Sequence, residues 1–126
     1  MNKKKTTTTY PNQRIKTETY QEGDTLVTKF YYNAKDAYVK ELTKEKDGIK
    51  DVKHFNVNGV LAKQEYFVDG KREGIETKYL VSKPNKTIKS TKMYHEGKLH
   101  GESLTHNAIG EVIKKEVFVN GKREEK

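Results

Sequence analysis

The chain has 126 residues, 35% of them charged and only 32% hydrophobic, and 26 Lys and Arg against 18 Asp and Glu leave a net charge of +8. This is one domain or one short array of repeats, too poor in Leu, Ile, Val and Phe to fill a large compact core. No apolar run approaches the ~20 residues a membrane-spanning helix needs, and the absence of Cys excludes disulfides and thiolate-bound metals.

The first thirteen residues, MNKKKTTTTYPNQ, are charged at the start but carry no apolar stretch behind it. They lack the form of a secretory signal and read as a flexible basic tail. The expected location is the cytoplasm, of a bacterium or of a bacterium infected by a phage. The remainder, 14–126, reads as a single β-repeat domain. Its turn-like positions are Gly23, Asn33–Ala34, Gly48, Gly59, Gly70, Asn85–Lys86, Gly97, Gly110 and Gly121. Asp-Gly at 47–48 and 69–70 and Asn-Gly at 58–59 and 120–121 are dipeptides of two-residue hairpin turns, because both central residues must take φ > 0. Glu22-Gly23 and Glu96-Gly97 are weaker versions. The residues between turns are rich in Val, Ile, Thr, Tyr and Phe, which form strands. Segment 34–47 reads as a strand through Tyr38, Val39 and Thr43, although Ala37 and Leu42 also sit at helical spacing. The predicted fold class is all-β, an elongated antiparallel meander of about eight or nine strands in a mostly single-layer, open sheet.

Internal repetition supports this. The block GVLAKQEYFVDGKRE from Gly59 matches GEVIKKEVFVNGKRE from Gly110 in register, and MYHEGKLHGE around Gly97 echoes YFVDGKREGI. Within the first block Tyr66 and Val68 share one face while Lys63, Glu65 and Phe67 share the other. Mid-strand positions are charged on one face and mixed on the other, whereas a sandwich needs a uniformly apolar inner face. Cross-strand Lys/Glu and aromatic pairs therefore carry much of the stability, spread along the array as neighbour terms.

The motif F/Y-x-x-G-K-x-x-G/E occurs at Phe67–Gly74, at Tyr94–Gly101 and at Phe118–Glu124, with a fainter copy from Tyr20 to Gly23. It resembles the MORN-repeat variant of bacterial proteins known as YwqK-family antitoxins. The resemblance covers 48–124 well and 18–47 poorly. It implies extended β-meanders and neutralisation of a toxin by direct binding.

No catalytic motif is present. Ser82, Ser90 and Ser103 lie outside any G-x-S-x-G turn, and neither phosphate-cradling glycine motif occurs. His54, His95, His100 and His106 lack the spacing of a metal site and read as exposed sheet histidines. No cofactor is expected, and no enzyme activity. The candidate binding residues are Tyr66, Phe67, Lys71, Arg72, Tyr94, Lys98, Phe118, Lys122 and Arg123, because aromatics with Arg make interface hot spots and aromatics flanked by Lys can stack single-stranded nucleic acid. The alternative is that the rings pack on one another and hold the sheet together. The leading expectation is a non-catalytic inhibitor of a partner protein, a toxin or a nuclease. A phage-type inhibitor that binds RNA or an RNA-guided nuclease complex is the second expectation. A scaffold or membrane-surface module is the third, with a membrane the least favoured partner. Only three of the 26 basic residues are Arg, which speaks against sequence-specific phosphate or base readout.

Overall fold

A computed structural model describes residues 5–35, 38–81 and 87–124. In chain order the strands are β1 (Thr6–Thr9), β2 (Ile15–Glu22), β3 (Thr25–Tyr31), β4 (Val39–Lys46), β5 (Ile49–Phe55), β6 (Leu61–Val68), β7 (Lys71–Arg72), β8 (Gly74–Tyr79), β9 (Ile88–His95), β10 (Lys98–Leu99), β11 (Gly101–His106), β12 (Val112–Val119) and β13 (Lys122–Arg123). They form one antiparallel sheet in which consecutive strands pair, with β7 continuing into β8 and β10 into β11. Nine strands of six to eight residues make up the expected meander, joined by the four-residue β1 and three two-residue pieces. Within the 34–47 segment Val39–Lys46 is strand β4, paired with β3 and β5, while Ala34 and Lys35 lie in a bend and Asp47 in the following turn. Residues 36–37 lie outside the described residues.

The N-terminal reading needs correction. Thr6–Thr9 is not tail but strand, paired Thr6↔Thr19 through Thr9↔Ile15. Four consecutive β-branched residues suit an edge strand, and the Thr8 and Thr17 hydroxyls meet at 2.6 Å across the pair.

Two kinds of turn alternate along the chain. At four of the tight turns Asp47, Asp69, Glu96 and Asn120 hold φ of 52°, 49°, 50° and 49°, each followed by a glycine also at positive φ. These are type I′ turns, whose twist matches that of the flanking strands. The first tight turn differs from the expectation. Glu22 pairs with Thr25 and belongs to the strand, so Gly23 is the first central residue at φ 62° and Asp24 the second. Glycine first with a normal residue second is the II′ pattern. The other turns are wider. Asn58-Gly59 is not a two-residue turn as expected. Instead Asn56 N–H bonds to the Val60 carbonyl at 2.9 Å, and the Asn56 side-chain oxygen accepts from the N–H groups of Asn58 and Val60. Asn107 builds the same loop, its side-chain oxygen accepting from Ile109 and Glu111. Tyr10 to Arg14 repeats the main-chain part of it. One-residue register shifts accompany the wide turns, at Thr8/Thr9, His54/Phe55 and Thr105/His106. The structural unit is thus a pair of strands with one tight and one wide turn, and all tight turns lie along one side of the sheet.

Directly paired residues share a face, and alternate residues of a strand return to it. Val52, Thr43 and Glu65 occupy one face, called the front; Val27 and Thr77 occupy the back. All five are buried, and Val27 and Val52 are the only buried apolar side chains among the described residues. Burial on both faces, with so little apolar content, is the signature of a single layer whose side chains cover one another laterally.

Candidate binding surface

The motif F/Y-x-x-G-K-x-x-G produces a recurring local geometry. After the Asp69-Gly70 turn, β7 starts in register Phe67↔Arg72. Beyond it β8 pairs Gln64↔Thr77, so two extra residues are taken up around Glu73 and Gly74. The following copy does the same, with Leu99↔Tyr94 before the bulge and Leu104↔Thr91 after it. Positive φ at Gly74 (80°) and Gly101 (109°) carries the chain through each bulge, which explains the final glycine of the motif.

The bulge brings Glu65 and Glu76 together on the front face, each side chain only 6% exposed. Glu65 accepts hydrogen bonds from Arg72 Nε at 3.1 Å and pairs with His54 Nε2 at 2.9 Å and Lys63 Nζ at 3.5 Å. Glu76 lies 3.6 Å from Lys63 Nζ and 3.9 Å from Arg72 Nε. The other ring nitrogen of His54 faces Glu41 at 3.4 Å. Burial pushes the Glu65 carboxyl up, but the bonds from His54 and Arg72 and the charge of Lys63 outweigh it and leave the pKa lowered. Arg72 is raised in turn, first by its bond to Glu65.

Arg72 is also stacked. Its guanidinium lies 5.7 Å from the Phe67 ring centre and 5.6 Å from that of Tyr94, a double cation–π arrangement. Burial first, then the Glu76 charge, raises the Tyr94 hydroxyl. The last copy repeats the ion pair, with Arg123 Nη1 3.1 Å from Glu116 Oε2 beside Phe118. The middle copy replaces it: Leu99 stands at the Arg72 position, Lys92 at the Glu65 position and Ser103 at the Glu76 position. Ser103 Oγ is buried without a hydrogen-bond partner.

The nine candidate residues divide between the faces. Phe67, Arg72, Tyr94, Phe118 and Arg123 form a row across the front. Tyr66, Lys71, Lys98 and Lys122 lie on the back. Tyr66 accepts a hydrogen bond from Gln64 Nε2 at 3.0 Å, and burial raises its hydroxyl. The three lysines follow successive tight turns. Lys71 Cβ lies 3.7 Å from the point a Cβ on Gly97 would occupy, and Lys98 Cβ 3.9 Å from that of Gly121. They line the tight-turn side at intervals of about 10 Å, two strand spacings.

Ring-on-ring packing is not how the aromatics are used. Among the described residues the ring pair is His95 with His100, centres 5.9 Å apart, while Tyr10, Tyr20, Tyr32, Phe67 and Tyr94 each sit against a Lys or Arg. His95 Nδ1 is 3.0 Å from Glu73 Oε2, and that bond raises His95. No group of three His, Asp or Glu able to hold a metal occurs among the described residues. Glu65, Glu76, Lys63 and His54 were absent from the sequence candidates. The signal for Glu65 was its recurrence as Glu116, at the same offset that relates Arg72 to Arg123.

No protein-family model matches the chain, and no curated protein matches it by sequence. Solved structures share its fold. One is of a Staphylococcus aureus TarM mutant in complex with fondaparinux, α-GlcNAc-glycerol and UDP, at TM-score 0.56 and 18% identity over 85% of this chain. Another is of TarM, at TM-score 0.56 and 18% identity over 86% of this chain. The chain spans 20% of the length of those proteins. At this identity the likeness shows the β-meander and no more.

Proposed function

We propose that this chain is a non-catalytic binding protein that neutralises a partner protein through the front face of its sheet. The observation that carries the reading is the row Phe67–Arg72–Tyr94, continued by Phe118 and Arg123 on the same face. Arg72 is held by Glu65 and two rings, so little side-chain freedom is lost when it is covered. Aromatic and Arg side chains fixed in this way are the usual anchors of an interface. The partner it fits presents an apolar patch beside carboxylates, which the +8 charge would steer towards it. The resemblance to antitoxins of the MORN-variant type agrees with this role.

The test is affinity capture from the producing cell at moderate salt, with the wild-type chain and with Tyr94→Ala as baits and nuclease present throughout. One protein recovered in stoichiometric amount by wild type and lost by Tyr94→Ala is expected. Recovery of no stoichiometric protein, or equal recovery by both baits, overturns it.

A second reading rests on Lys71, Lys98 and Lys122 along the tight-turn side of the back face. Their row of positive charge would attract the phosphates of an RNA strand. It predicts gel shifts of single-stranded RNA that vanish steeply with salt, with a slope reduced by charge removal at these lysines.

A further inference from the structure

The two ends of the sheet are unequal halves of one strand. On β12, the Glu124 N–H bonds to the Val117 carbonyl at 2.7 Å, and β13 pairs only Val119↔Lys122 and Phe118↔Arg123. The β13 piece therefore covers the tight-turn half of that edge. Two residues before Val117, the main-chain N–H and C=O of Lys115 point the same way. No described residue pairs with them. At the opposite end β1 is also half a strand, but it lies on the wide-turn half, Thr6 to Thr9. The Tyr10 N–H bonds inward to the Arg14 carbonyl. Alternation then turns Thr8 and Thr6 towards β2, and Thr7 and Thr9 outward.

The interior of the sheet shows what completes such an edge. On β6, which β12 repeats at an offset of 51, β7 covers the tight-turn half and β8 the wide-turn half, paired Gln64↔Thr77 and Lys63↔Lys78. Lys115 and Lys114 stand at the positions of Gln64 and Lys63. On the strand side, Tyr79 pairs with Ile88 after a register shift at the wide turn, as Thr9 pairs with Ile15. This places Thr7 at the Thr77 position and Thr8 at the Lys78 position. Strand direction also agrees, because β1 runs as β8 does.

The geometry points to head-to-tail association of this chain with a second copy of itself, β1 of one copy completing the β12 edge of the next in the register Lys115↔Thr7 and Lys114↔Thr8. The β13 piece of one copy and β1 of the next then make a single broken strand, as β7 and β8 do. The uncovered apolar side chains near that edge, Val112 and Ile113, are 52% and 64% exposed. The edge lysines do not repel the incoming strand strongly, since Lys115 is paired with Glu102 at 2.8 Å and Lys114 with Glu116 at 3.7 Å. The contact is heterologous and does not close on two copies, so assembly continues beyond the dimer. Because each copy carries +8, added salt strengthens the association. The surface uses the edges of the sheet and leaves the front face free.

The chain has no Cys, so a cross-link reports the register directly. Thr8 and Lys114 would form a non-hydrogen-bonded pair with Cα atoms about 4.5 Å apart, within disulfide range. Under oxidation Thr8→Cys/Lys114→Cys is expected to give a ladder of linked dimers and higher species. Thr7→Cys/Lys114→Cys, with side chains on opposite faces, is expected to give far less. The reduced variants are checked for wild-type far-UV circular dichroism. Independently, sedimentation of the wild-type chain is expected to show mass rising with concentration and with salt. Thr7→Pro removes an outward N–H and is expected to abolish that rise. A wild-type chain that stays monomeric throughout overturns the proposal. So does equal cross-linking in the two double variants, or a disulfide closed within one chain.

Discussion

Glu65 and Glu116 occupy equivalent positions in two copies of one motif, yet differ in burial, and this makes them a controlled pair. Replacing Glu65 with Ala removes the shared acceptor of Arg72, His54 and Lys63 from a site where its side chain is 6% exposed. Breaking a buried ion pair typically costs about 3–5 kcal/mol. Here the stranded cations retain water, Arg72 at 43% exposure and Lys63 at 27%, which brings the expected cost down to about 2–3 kcal/mol. Glu116 is 25% exposed, and its partners Arg123 and Lys114 are mostly solvated, so Glu116→Ala should cost about 0.2–1 kcal/mol, the range of surface pairs. Urea denaturation followed by far-UV circular dichroism at neutral pH measures both, provided the slope m is unchanged. At about 4 °C per kcal/mol the first variant should melt roughly 8–12 °C below wild type, and the second within about 4 °C of it. Equal losses in the two variants, or a loss below about 1 kcal/mol for Glu65→Ala, would refute the claim that buried charge at the bulge holds the central hairpins.

The Gly48 turn offers a second contrast. A Cβ there would lie 2.7 Å from Asp69 Oδ1, whereas one at Gly70 meets nothing within 4 Å. Both have positive φ, so Gly70→Ala should cost about 1–2 kcal/mol from conformation alone. Gly48→Ala should cost more, and thermal melts should show the excess relieved in a Gly48→Ala/Asp69→Ala double variant. A third prediction concerns pH. Glu18 is lowered, first by the Tyr31 hydroxyl that donates to it at 2.5 Å, and Tyr31 is pushed up to about 12 by burial and then by that same bond. The depressed Glu18 contributes stability that is present above its unfolded pKa of about 4.3 and lost as pH falls through its folded value. The raised Tyr31 contributes stability complete below about pH 10 and lost as pH rises towards its folded value. Absorbance titration should include a tyrosine step near pH 12, and Tyr31→Phe should remove that step and flatten the acid limb of a pH–melting curve.

The meander was legible because its turns are chemically explicit. Asp47-Gly48, Asp69-Gly70 and Asn120-Gly121 take the two positive φ values that a tight hairpin needs, and few other dipeptides do so readily. Asn58-Gly59 was misleading for a physical reason. The side chain of Asn56, three residues before the glycine, collects two backbone N–H groups and opens a wider loop. Asn107 stands at the same distance before Gly110, so the pattern was written twice but in a residue other than the glycine being counted. The Thr run is ambiguous in sequence, since its low complexity suits a tail and its β-branching suits a strand. For the candidate surface, residue types are visible in the sequence, and their sidedness follows only once hairpin register is added. Phe67 and Tyr66 are neighbours in sequence and therefore face opposite ways, and Arg72 joins the first while Lys71 joins the second through hairpin register. The buried carboxylates are not legible locally, because their burial comes from a two-residue bulge, which no local periodicity announces.

The alternation of tight and wide turns gives the array a parity. Removing or inserting one strand reverses the direction of everything that follows it. Every later tight turn would then move to the opposite side of the sheet, and Lys98 and Lys122 would part from Lys71. Removing a pair of strands preserves direction, faces and sides together. Growth and loss of length in such a sheet are therefore tolerated only in steps of two strands. The copies obey this despite their unequal lengths, 27 residues from Gly70 to Gly97 and 24 from Gly97 to Gly121. The strands are nonetheless the same length in both, six residues in β8 and β11 and eight in β9 and β12, so direction and face are kept from copy to copy.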